Sequence, residues 1–283
     1  MTIIRSPRQL QAITGRWRRA GHTIGFVPTM GALHAGHLQL IRRARRDADR
    51  VVVSVFVNPL QFNQRRDYAR YPRPLALDAR LAQAAGTDLL FAPSAVALYP
   101  PDFQTTVDVT RLSARWEGAF RPGHFRGVAT IVTKLLHLAQ PTIAYVGEKD
   151  AQQACLVEQL VRDLNLPITV RVLPTVREPD GLAMSSRNTR LSPTERRRAL
   201  VVFRALQAGG ALIESGERRR NVVLRRMRAV VRQVPGARLE YAAIVHPYTL
   251  EPVTTITGTV RLLVAVWVGR VRLIDTRLVR PKR

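Results

Sequence analysis

HTIGFVPTMGALHAGHLQLIRRA, residues 22–44, is the stretch that decides the fold of this chain. Its apolar residues 24–28 are nearly continuous, as in a strand that is covered on both faces. Apolar residues then recur at helical spacing, which predicts a helix from about Gly36. The stretch therefore predicts a buried strand, a tight glycine turn and a helix in immediate succession.

A four-residue signature, His34-Ala35-Gly36-His37, lies at the start of the predicted helix. Gly31 and Gly36 allow a sharp turn and a close approach of a ligand to the backbone. The unpaired N–H groups and partial positive charge of a helix start suit a phosphate. The histidines, three residues apart, would share a face near that phosphate. The pattern indicates a nucleotide site; two packing histidines, or a metal pair for which no third ligand is evident, are the alternatives.

Composition limits the class of protein. The 283 residues, 46% of them hydrophobic, suffice for one large or two modest folded domains. No apolar run approaches the roughly 18–20 residues that span a membrane, and no signal peptide is evident. The single cysteine, Cys155, excludes an internal disulfide and fits a reducing compartment. We therefore expect a cytoplasmic protein that is not bound to a membrane.

The charge is strongly basic. Lys and Arg number 45 against 20 Asp and Glu, a formal charge of +25. Such a field favours anionic partners. The arginines are scattered along helices and are not interleaved with aromatic residues, so we interpret them as a solvated basic surface. A nucleic acid is not expected as the main partner, although a nucleic-acid-binding module, with affinity that falls steeply with salt, is the rival hypothesis of another class.

Strand and helix patterns alternate through the first two thirds of the chain. Candidate strands are residues 51–57, the DLLFAP segment 88–93, and residues 105–109, 141–146 and 168–173. Short connections between them predict an α/β fold with a Rossmann-like, doubly wound parallel sheet. Asn58 and Gln61 follow one strand and residues 147–150 follow another, at the sheet edge where ligands bind in such folds.

The pattern changes after residue 177. Ser192-Pro193 opens a long predicted helix, and a second helix near residues 220–234 and strands near 239–245 and 261–268 complete a smaller α+β region. We predict two domains: residues 1–176, a Rossmann-like domain that binds the nucleotide, and a smaller C-terminal α+β domain, residues 177–283, that closes over the site.

Six sequence pieces, in order from residue 28 to residue 188, resemble the pantothenate synthetases (pantoate–β-alanine ligases), a family of the H-x-G-H nucleotidylyltransferase superfamily. They are PTMGALHAGHLQLI, FVNPLQF, YPR, RPGHFRGVATIVTKL, YVGEKDAQQ and PTVREPDGLAMSSRN. The C-terminal third matches mainly by its helix and strand pattern, with family-like IVHPYTLEPV and RLIDT. His246 stands where the family usually has aspartate, and we assign it no role.

The resemblance implies a two-step reaction. Pantoate attacks the α-phosphate of ATP to give pantoyl adenylate and pyrophosphate, and the amine of β-alanine then displaces AMP to give pantothenate. ATP with Mg²⁺, pantoate and β-alanine are the implied ligands, and a homodimer is the implied assembly. Another H-x-G-H adenylyl- or cytidylyltransferase is the nearest rival, and amide product that depends on β-alanine distinguishes the two.

The resemblance also implies site residues. The catalytic residues, which also bind ATP, are His34, His37, Lys149 and Arg187. Further ATP-binding residues are Met30, Gly31, Gly36, Gly147, Asp150, Val176, Met184, Ser185 and Ser186. Pantoate and β-alanine are assigned to Asn58, Gln61 and Gln153, and Asp78 matches an acidic position near a magnesium held mainly by phosphates. The family's proton donor corresponds to His37, which we interpret as a hydrogen-bond donor to the α-phosphate. His124 is either catalytic or a loop-packing residue.

Overall fold

The computed structural model of the protein describes residues 1–282, which divide into two compact units. The first unit contains Met1–Gly147 and Gln152–Pro174, and the second contains Glu148–Ala151 and the chain from Thr175. The division therefore places the short segment Glu148–Ala151 with the C-terminal part of the chain. No helix within residues 1–282 has the length and apolar character needed to cross a membrane.

The first unit alternates strands and helices. Its strands are β1 (Thr2–Ile4), β2 (Ile24–Thr29), β3 (Arg50–Val55), β4 (Leu89–Phe91), β5 (Ile143–Gly147) and β6 (Thr169–Leu173). Its helices are α1 (Pro7–Arg19), α2 (Ala35–Asp47), α3 (Arg65–Ala69), α4 (Leu75–Ala84), α5 (Ala95–Leu98), α6 (Thr110–Ser113), α7 (Glu117–Phe120), α8 (His124–Ala139) and α9 (Ala151–Asp163), of which only Ala151 belongs to the second unit.

These six strands form one parallel sheet in the order β1-β4-β3-β2-β5-β6. Successive connections lead from β2 towards one edge of the sheet and from β5 towards the other, so the switch point lies between β2 and β5. Side chains on one face, such as Phe26, pack in a core that includes α8, and those on the other face, such as Val27, pack with α2. The predicted doubly wound parallel sheet is confirmed.

The second unit is a three-stranded antiparallel sheet with helices. Its strands, in spatial order, are β7 (Ala237–Val245), β8 (Val260–Val268) and β9 (Val271–Val279). Its helices are α10 (Pro193–Arg198), α11 (Val201–Glu214) and α12 (Arg220–Arg232). Apolar side chains of α11, α12 and the sheet share a separate core, exemplified by Met227 and Leu262, which are fully buried. The predicted smaller α+β region is therefore present.

Two predicted elements differ from the structure. Residues 105–109 are not a strand, because the N–H of Val107 donates to Oγ1 of Thr130 at 3.0 Å instead of to a neighbouring strand. The long helix predicted from Ser192-Pro193 is interrupted between α10 and α11, where the N–H of Val202 donates to the carbonyl of Ala199 in a tight turn. Strands β1 and β9 are not among the strands predicted from the sequence.

Candidate active site

Helix α2 begins at two histidines that cap its first turn. The N–H of Gly36 donates to Nδ1 of His34 at 3.2 Å, and the N–H of His34 donates to Nδ1 of His37 at 3.3 Å. The ring centroids lie 4.0 Å apart. In a neutral imidazole one nitrogen accepts and the other carries the proton, so a ring that accepts at Nδ1 bears its proton at Nε2. Both histidines therefore carry their proton at Nε2, beside the positive end of the helix.

The loop between β2 and α2 is held by Asp78 of α4. The two carboxylate oxygens of Asp78 accept the N–H groups of Ala32, at 2.9 Å, and Leu33, at 2.7 Å. Gly31 has φ +82°, and a Cβ there would lie 2.9 Å from Asp78 and 2.8 Å from Val55. Asp78 is fully buried, and this burial raises its pKa, whereas the two N–H donors act in the opposite direction. These contacts favour loop positioning over direct contact with a metal.

Asp78→Asn tests this interpretation. An asparagine side chain presents one oxygen and an NH₂ group, so it accepts from only one of the two loop N–H groups. We expect the free energy of unfolding to fall by about 1–3 kcal/mol, the cost of an unsatisfied buried donor. Urea unfolding followed by circular dichroism measures this cost, with Asp102→Asn, at an exposed position of the same unit, as the control. An unchanged unfolding midpoint would contradict the loop-positioning role.

Asn58, Gln61 and Met30 meet at the carboxyl ends of β2 and β3. Nδ2 of Asn58 donates to Oε1 of Gln61 and to the carbonyl of Gly127, both at 3.0 Å. This arrangement turns the Gln61 amide nitrogen towards Met30, whose sulfur lies 2.9 Å away. A Cβ at Gly127 would lie 2.4 Å from a backbone oxygen, so only glycine allows this approach of α8. Three of the predicted site residues are thus brought together.

Two residues support this polar cluster. The hydroxyl of Tyr99 donates to Oδ1 of Asn58 at 2.9 Å, and burial raises the pKa of this phenol. Nδ1 of His124 lies 2.8 Å from the carbonyl of Gln61, so Nδ1 carries the proton, and Nε2 accepts from Arg121 at 3.1 Å. These contacts favour a packing role for His124. The sequence offered no signal for Tyr99, which contacts Asn58 from 41 residues away.

Gly147 and Gln153 lie near the carboxyl end of β5. Gly147 is the last residue of the strand, and a Cβ built there would meet nothing within 4 Å. The backbone at this point is therefore open to a ligand. Gln153 lies half-buried on the first turn of α9. Within residues 1–282, no hydrogen bond joins Gln153 to Gln61.

The remaining predicted nucleotide residues belong to the second unit. Lys149 and Asp150 lie in the 3₁₀ turn Glu148–Asp150, with Nζ 3.4 Å from Oδ1 of Asp150. A short hairpin pairs residue 177 with residue 183, and the N–H of Met184 donates to the carbonyl of Val176 at 3.0 Å. Next comes a second 3₁₀ turn, in which Oγ of Ser185 accepts the N–H of Arg187 at 3.3 Å. Ser186 and Arg187 are both half-buried there.

His246 has a local structural role in the second unit. It follows β7, and its Nδ1 accepts the N–H groups of Thr249, at 3.2 Å, and Tyr248, at 3.4 Å. An aspartate side chain makes the same kind of turn by accepting backbone N–H groups two or three residues on. The histidine therefore reproduces the hydrogen bonding of the aspartate that the family resemblance led us to expect.

A protein cage for a metal ion is not present in the part of the chain that the structure describes. Within residues 1–282, no group of three or more His, Cys, Asp or Glu side chains is arranged to hold one. Mg²⁺ commonly binds through substrate phosphates and one or two carboxylates, so such a cage is not required for a Mg²⁺-nucleotide. Cys155, the single cysteine of the sequence, is buried.

The switch point of the parallel sheet and the histidine-capped start of α2 together define a nucleotide-binding α/β protein of the H-x-G-H class. A family model described as pantoate-beta-alanine ligase matches residues 2–278. The chain belongs to the pantoate–β-alanine ligase family.

Relatives resemble the chain over its whole length. A pantothenate synthetase of Heliobacterium modesticaldum is 51% identical over 283 residues, 99% of each chain. The crystal structure of pantothenate synthetase from Thermus thermophilus superposes with a TM-score of 0.94 at 49% identity, covering 99% of this chain and 100% of that one. A pantoate-beta-alanine ligase from Francisella tularensis, complexed with Beta-gamma ATP and beta-alanine, has a TM-score of 0.81 at 35% identity, covering 98% and 97%.

Proposed function

We propose that this protein condenses pantoate with β-alanine to form pantothenate, in two steps driven by ATP. A carboxylate oxygen of pantoate attacks the α-phosphorus, and pyrophosphate leaves with the electrons of the broken P–O bond. The amine of β-alanine then attacks the acyl carbon of pantoyl adenylate, loses a proton and expels AMP. Family membership and the sizeable identity to pantothenate synthetases support this reaction.

The observation that supports the proposal most directly is the pair of histidines that cap the first turn of α2. Both Nε2–H groups are donors, and they lie at a helix start next to the switch point of the sheet. Phosphoryl transfer needs positioning and positive charge more than covalent help from the protein. The proposed role of His34 and His37 is therefore to hold the phosphates and to donate to charge that grows on the α-phosphate. Pantoate supplies the attacking oxygen, so no covalent nucleophile of the protein is needed.

The other loop residues of the first unit are proposed to bind the two small substrates and the nucleotide. The proposed pantoate and β-alanine site contains Asn58, Gln61 and Gln153, because an amide both donates and accepts. Both Nδ2 hydrogens of Asn58 already donate to Gln61 and Gly127, so Asn58 would contribute by orienting the Gln61 amide. The nucleotide-lining residues proposed here are Met30, Gly31, Gly36 and Gly147. Asp78 would then contribute by holding the Gly31 loop in shape.

The second unit is proposed to supply charge for the phosphates of the same ATP. Lys149 is a compact cation suited to the bridging and leaving oxygens. Ser185, Ser186 and Arg187 combine hydroxyl donors with a guanidinium, which suits the β- and γ-phosphates. Val176, Met184 and the ribose-binding Asp150 complete the proposed nucleotide contacts. Residues 177–283 would close over the site as a domain.

The proposal also covers the metal ion, the oligomeric state and the cellular compartment. Mg²⁺ would enter on the ATP phosphates and neutralise part of their charge, held mainly by phosphate oxygens. The protein is proposed to act as a homodimer in the cytoplasm. A single cysteine, buried and without a disulfide, is compatible with a reducing compartment.

The test is AMP and pyrophosphate release by purified protein with ATP, Mg²⁺, pantoate and β-alanine, each omitted in turn. We expect AMP and pantothenate only when all four are present. Pyrophosphate without a β-alanine-dependent amide would support adenylation and contradict the acceptor. A folded, ATP-binding protein that releases nothing with pantoate would contradict the proposal and favour another nucleotidylyltransferase of the H-x-G-H class.

Gln61→Ala tests the assignment of the pantoate site. A hydrogen bond to a charged group contributes about 1.5–3 kcal/mol, so we expect the KM for pantoate to rise about 10- to 100-fold. The KM for ATP should change much less, since within residues 1–282 the Gln61 amide hydrogen-bonds to Asn58 and Met30 and to neither of the histidines proposed to hold the phosphates. Initial rates at varied pantoate concentrations measure the effect. The control is Gln159→Ala, in the C-terminal half of α9. An equal rise in both KM values would contradict a pantoate-specific role.

A further inference from the structure

We infer that a partly buried polar network in the second unit, formed by Glu148, Arg261, Thr276, Asp275 and Arg177, positions Lys149 and the Ser185–Arg187 loop for the adenylation step. The inference rests on the proposed function. These five residues are called the Arg261 network. None of them is assigned to contact a substrate. They act through the two phosphate-binding segments to which they are attached.

Arg261 of β8 fixes the turn that carries Lys149. Its side chain is 7% exposed, and Nη1 lies 3.0 Å from Oε1 of Glu148, the residue before Lys149. Nε of Arg261 also donates to the carbonyl of Pro247 at 3.2 Å. Burying a guanidinium costs free energy unless its N–H groups are hydrogen-bonded and its charge is paired. The ion pair with Arg261 therefore restricts the position of Glu148. The backbone of Lys149 is restricted in turn.

Asp275 of β9 fixes the second phosphate-binding segment. Its side chain is 1% exposed, and its oxygens lie 2.6 Å and 3.1 Å from Nη1 and Nη2 of Arg177. Arg177 also donates to the carbonyl of Gly181 at 3.0 Å and pairs with Ala183 in the hairpin. This hairpin leads directly into Met184 and the Ser185–Arg187 loop.

Thr276 joins the two ion pairs. Its N–H donates to Oδ1 of Asp275 at 2.8 Å, and its hydroxyl lies 3.4 Å from Nη1 of Arg261. The same hydroxyl donates to the carbonyl of Leu262 on the neighbouring strand. The network is therefore anchored in the sheet, and a single rigid support holds both segments. Burial raises the pKa of Asp275, and the charges of Arg177 and Lys149 oppose this effect, so the ammonium of Lys149 is within electrostatic reach of the network.

A second buried ion pair of the same sheet provides a matched control. Arg272 of β9 pairs with Glu240 of β7, with side chains 14% and 12% exposed. Trp267 also donates to Glu240. This pair has burial comparable to that of Arg261 and Glu148, which are 7% and 23% exposed. Within residues 1–282, neither Arg272 nor Glu240 is adjacent in sequence to a proposed phosphate-binding residue.

The test compares Glu148→Gln with Glu240→Gln, using pantoate-dependent pyrophosphate release in single turnovers and thermal unfolding. A shift of about 1 Å in a catalytic group costs about 10²-fold, so we expect adenylation by Glu148→Gln to fall about 10- to 100-fold. The KM for pantoate should stay within about twofold, because its ligands lie elsewhere. Glu240→Gln should lower the melting temperature by a similar amount and leave adenylation unchanged.

A conservative variant separates position from stability. Arg261→Lys keeps the positive charge opposite Glu148 but loses the donor to the carbonyl of Pro247. This single variant should therefore form the adenylate at a rate between those of Glu148→Gln and the wild-type protein. The positioning role would be overturned if Glu148→Gln and Glu240→Gln were destabilised equally and both lost only a small and equal part of the adenylation rate. Absence of pyrophosphate release from the wild-type protein would instead overturn the proposed function, so the two failures are distinguishable.

Discussion

His37→Ala is expected to slow formation of pantoyl adenylate by on the order of 10²–10³-fold while the protein stays folded. The physical reason is the loss of the Nε2–H donor, which the hydrogen bond at Nδ1 fixes in place. Charge that develops on the α-phosphate then lacks one preorganised partner. Single-turnover release of pyrophosphate from ATP and pantoate measures the effect directly, without the second step.

The control for this prediction must separate chemistry from capping. His37 accepts the N–H of His34, so alanine also removes a cap, at a cost of about 0.5–2 kcal/mol in stability. Glutamate at this helical position accepts the N-cap N–H in a capping box, so His37→Glu should restore the melting temperature. Adenylation should stay slow, because an ionised carboxylate accepts hydrogen bonds and has no proton to donate in place of Nε2–H. Recovery of the rate together with stability would mean that His37 acts only as a cap.

A second control concerns histidine replacement in general. His137 is exposed on α8, and its Nδ1 lies 2.8 Å from the carbonyl of Thr133 on the same helix. His137→Ala should therefore leave adenylation at the wild-type rate. A loss comparable to that of His37→Ala would show that the assay responds to instability and not to the histidine pair.

The strand, turn and helix of residues 22–44 could be predicted because the signal is local. The apolar run, Gly31 and the spacing of the helical residues each depend on neighbours in sequence, and the structure has β2 and α2 where they were expected. The mutual capping of His34 and His37 was not predicted. Hydrogen bonding of a histidine ring to a backbone N–H depends on its rotamer, which spacing alone does not determine.

The error at residues 105–109 and the missed strand β9 have different causes. Thr-Thr-Val-Asp-Val has strand composition, but Val107 finds its backbone partner in the Thr130 side chain of α8. No local pattern reveals such a partner. Strand β9 follows β8 through the two residues Gly269-Arg270, and a Gly-X pair between two apolar runs is a short hairpin signal. Gly269 has the positive φ, +56°, that such a turn requires.

The support of the candidate site depends on long-range contacts. Asp78 lies 45 and 46 residues from the N–H groups that it accepts, and Arg261 lies 113 residues from Glu148. In the sequence alone, Asp78 and Arg261 cannot be distinguished from the charged residues of a solvated surface, because the chain is rich in arginine. Only their burial in the structure shows that they hold loops. The residues proposed to contact substrates could be predicted from motifs, whereas those that position them could not.

Lys149→Ala is expected to lower the rate of pantoyl adenylate formation by on the order of 10³-fold, as for other cations that stabilise phosphoryl transfer. The cost in stability should be small. Nζ of Lys149 lies 3.4 Å from Asp150, whose side chain is 48% exposed, and such pairs contribute about 0–1 kcal/mol. Lys149→Met keeps the length of the side chain and should be equally slow. Single-turnover pyrophosphate release and thermal unfolding measure the two effects.

The control is the other partly buried lysine of the first two thirds of the chain. Lys134 donates to the carbonyl of Leu98 and lies 4.6 Å from the ring centroid of Phe103, and burial lowers its pKa. Lys134→Met should therefore lower the melting temperature more than Lys149→Met does, with adenylation near the wild-type rate. The reverse order of effects would contradict the assignment of the catalytic cation.

Supplying pantoyl adenylate and β-alanine to Lys149→Met identifies the oxygens on which the cation acts. If Lys149 stabilises the bridging and leaving oxygens of pyrophosphate, its loss should affect the first step alone, because pyrophosphate is absent from the second. AMP release from the supplied intermediate should then proceed near the wild-type rate. A comparable loss in both steps would place the ammonium on the α-phosphate, which both steps share, and would contradict the role proposed for Lys149.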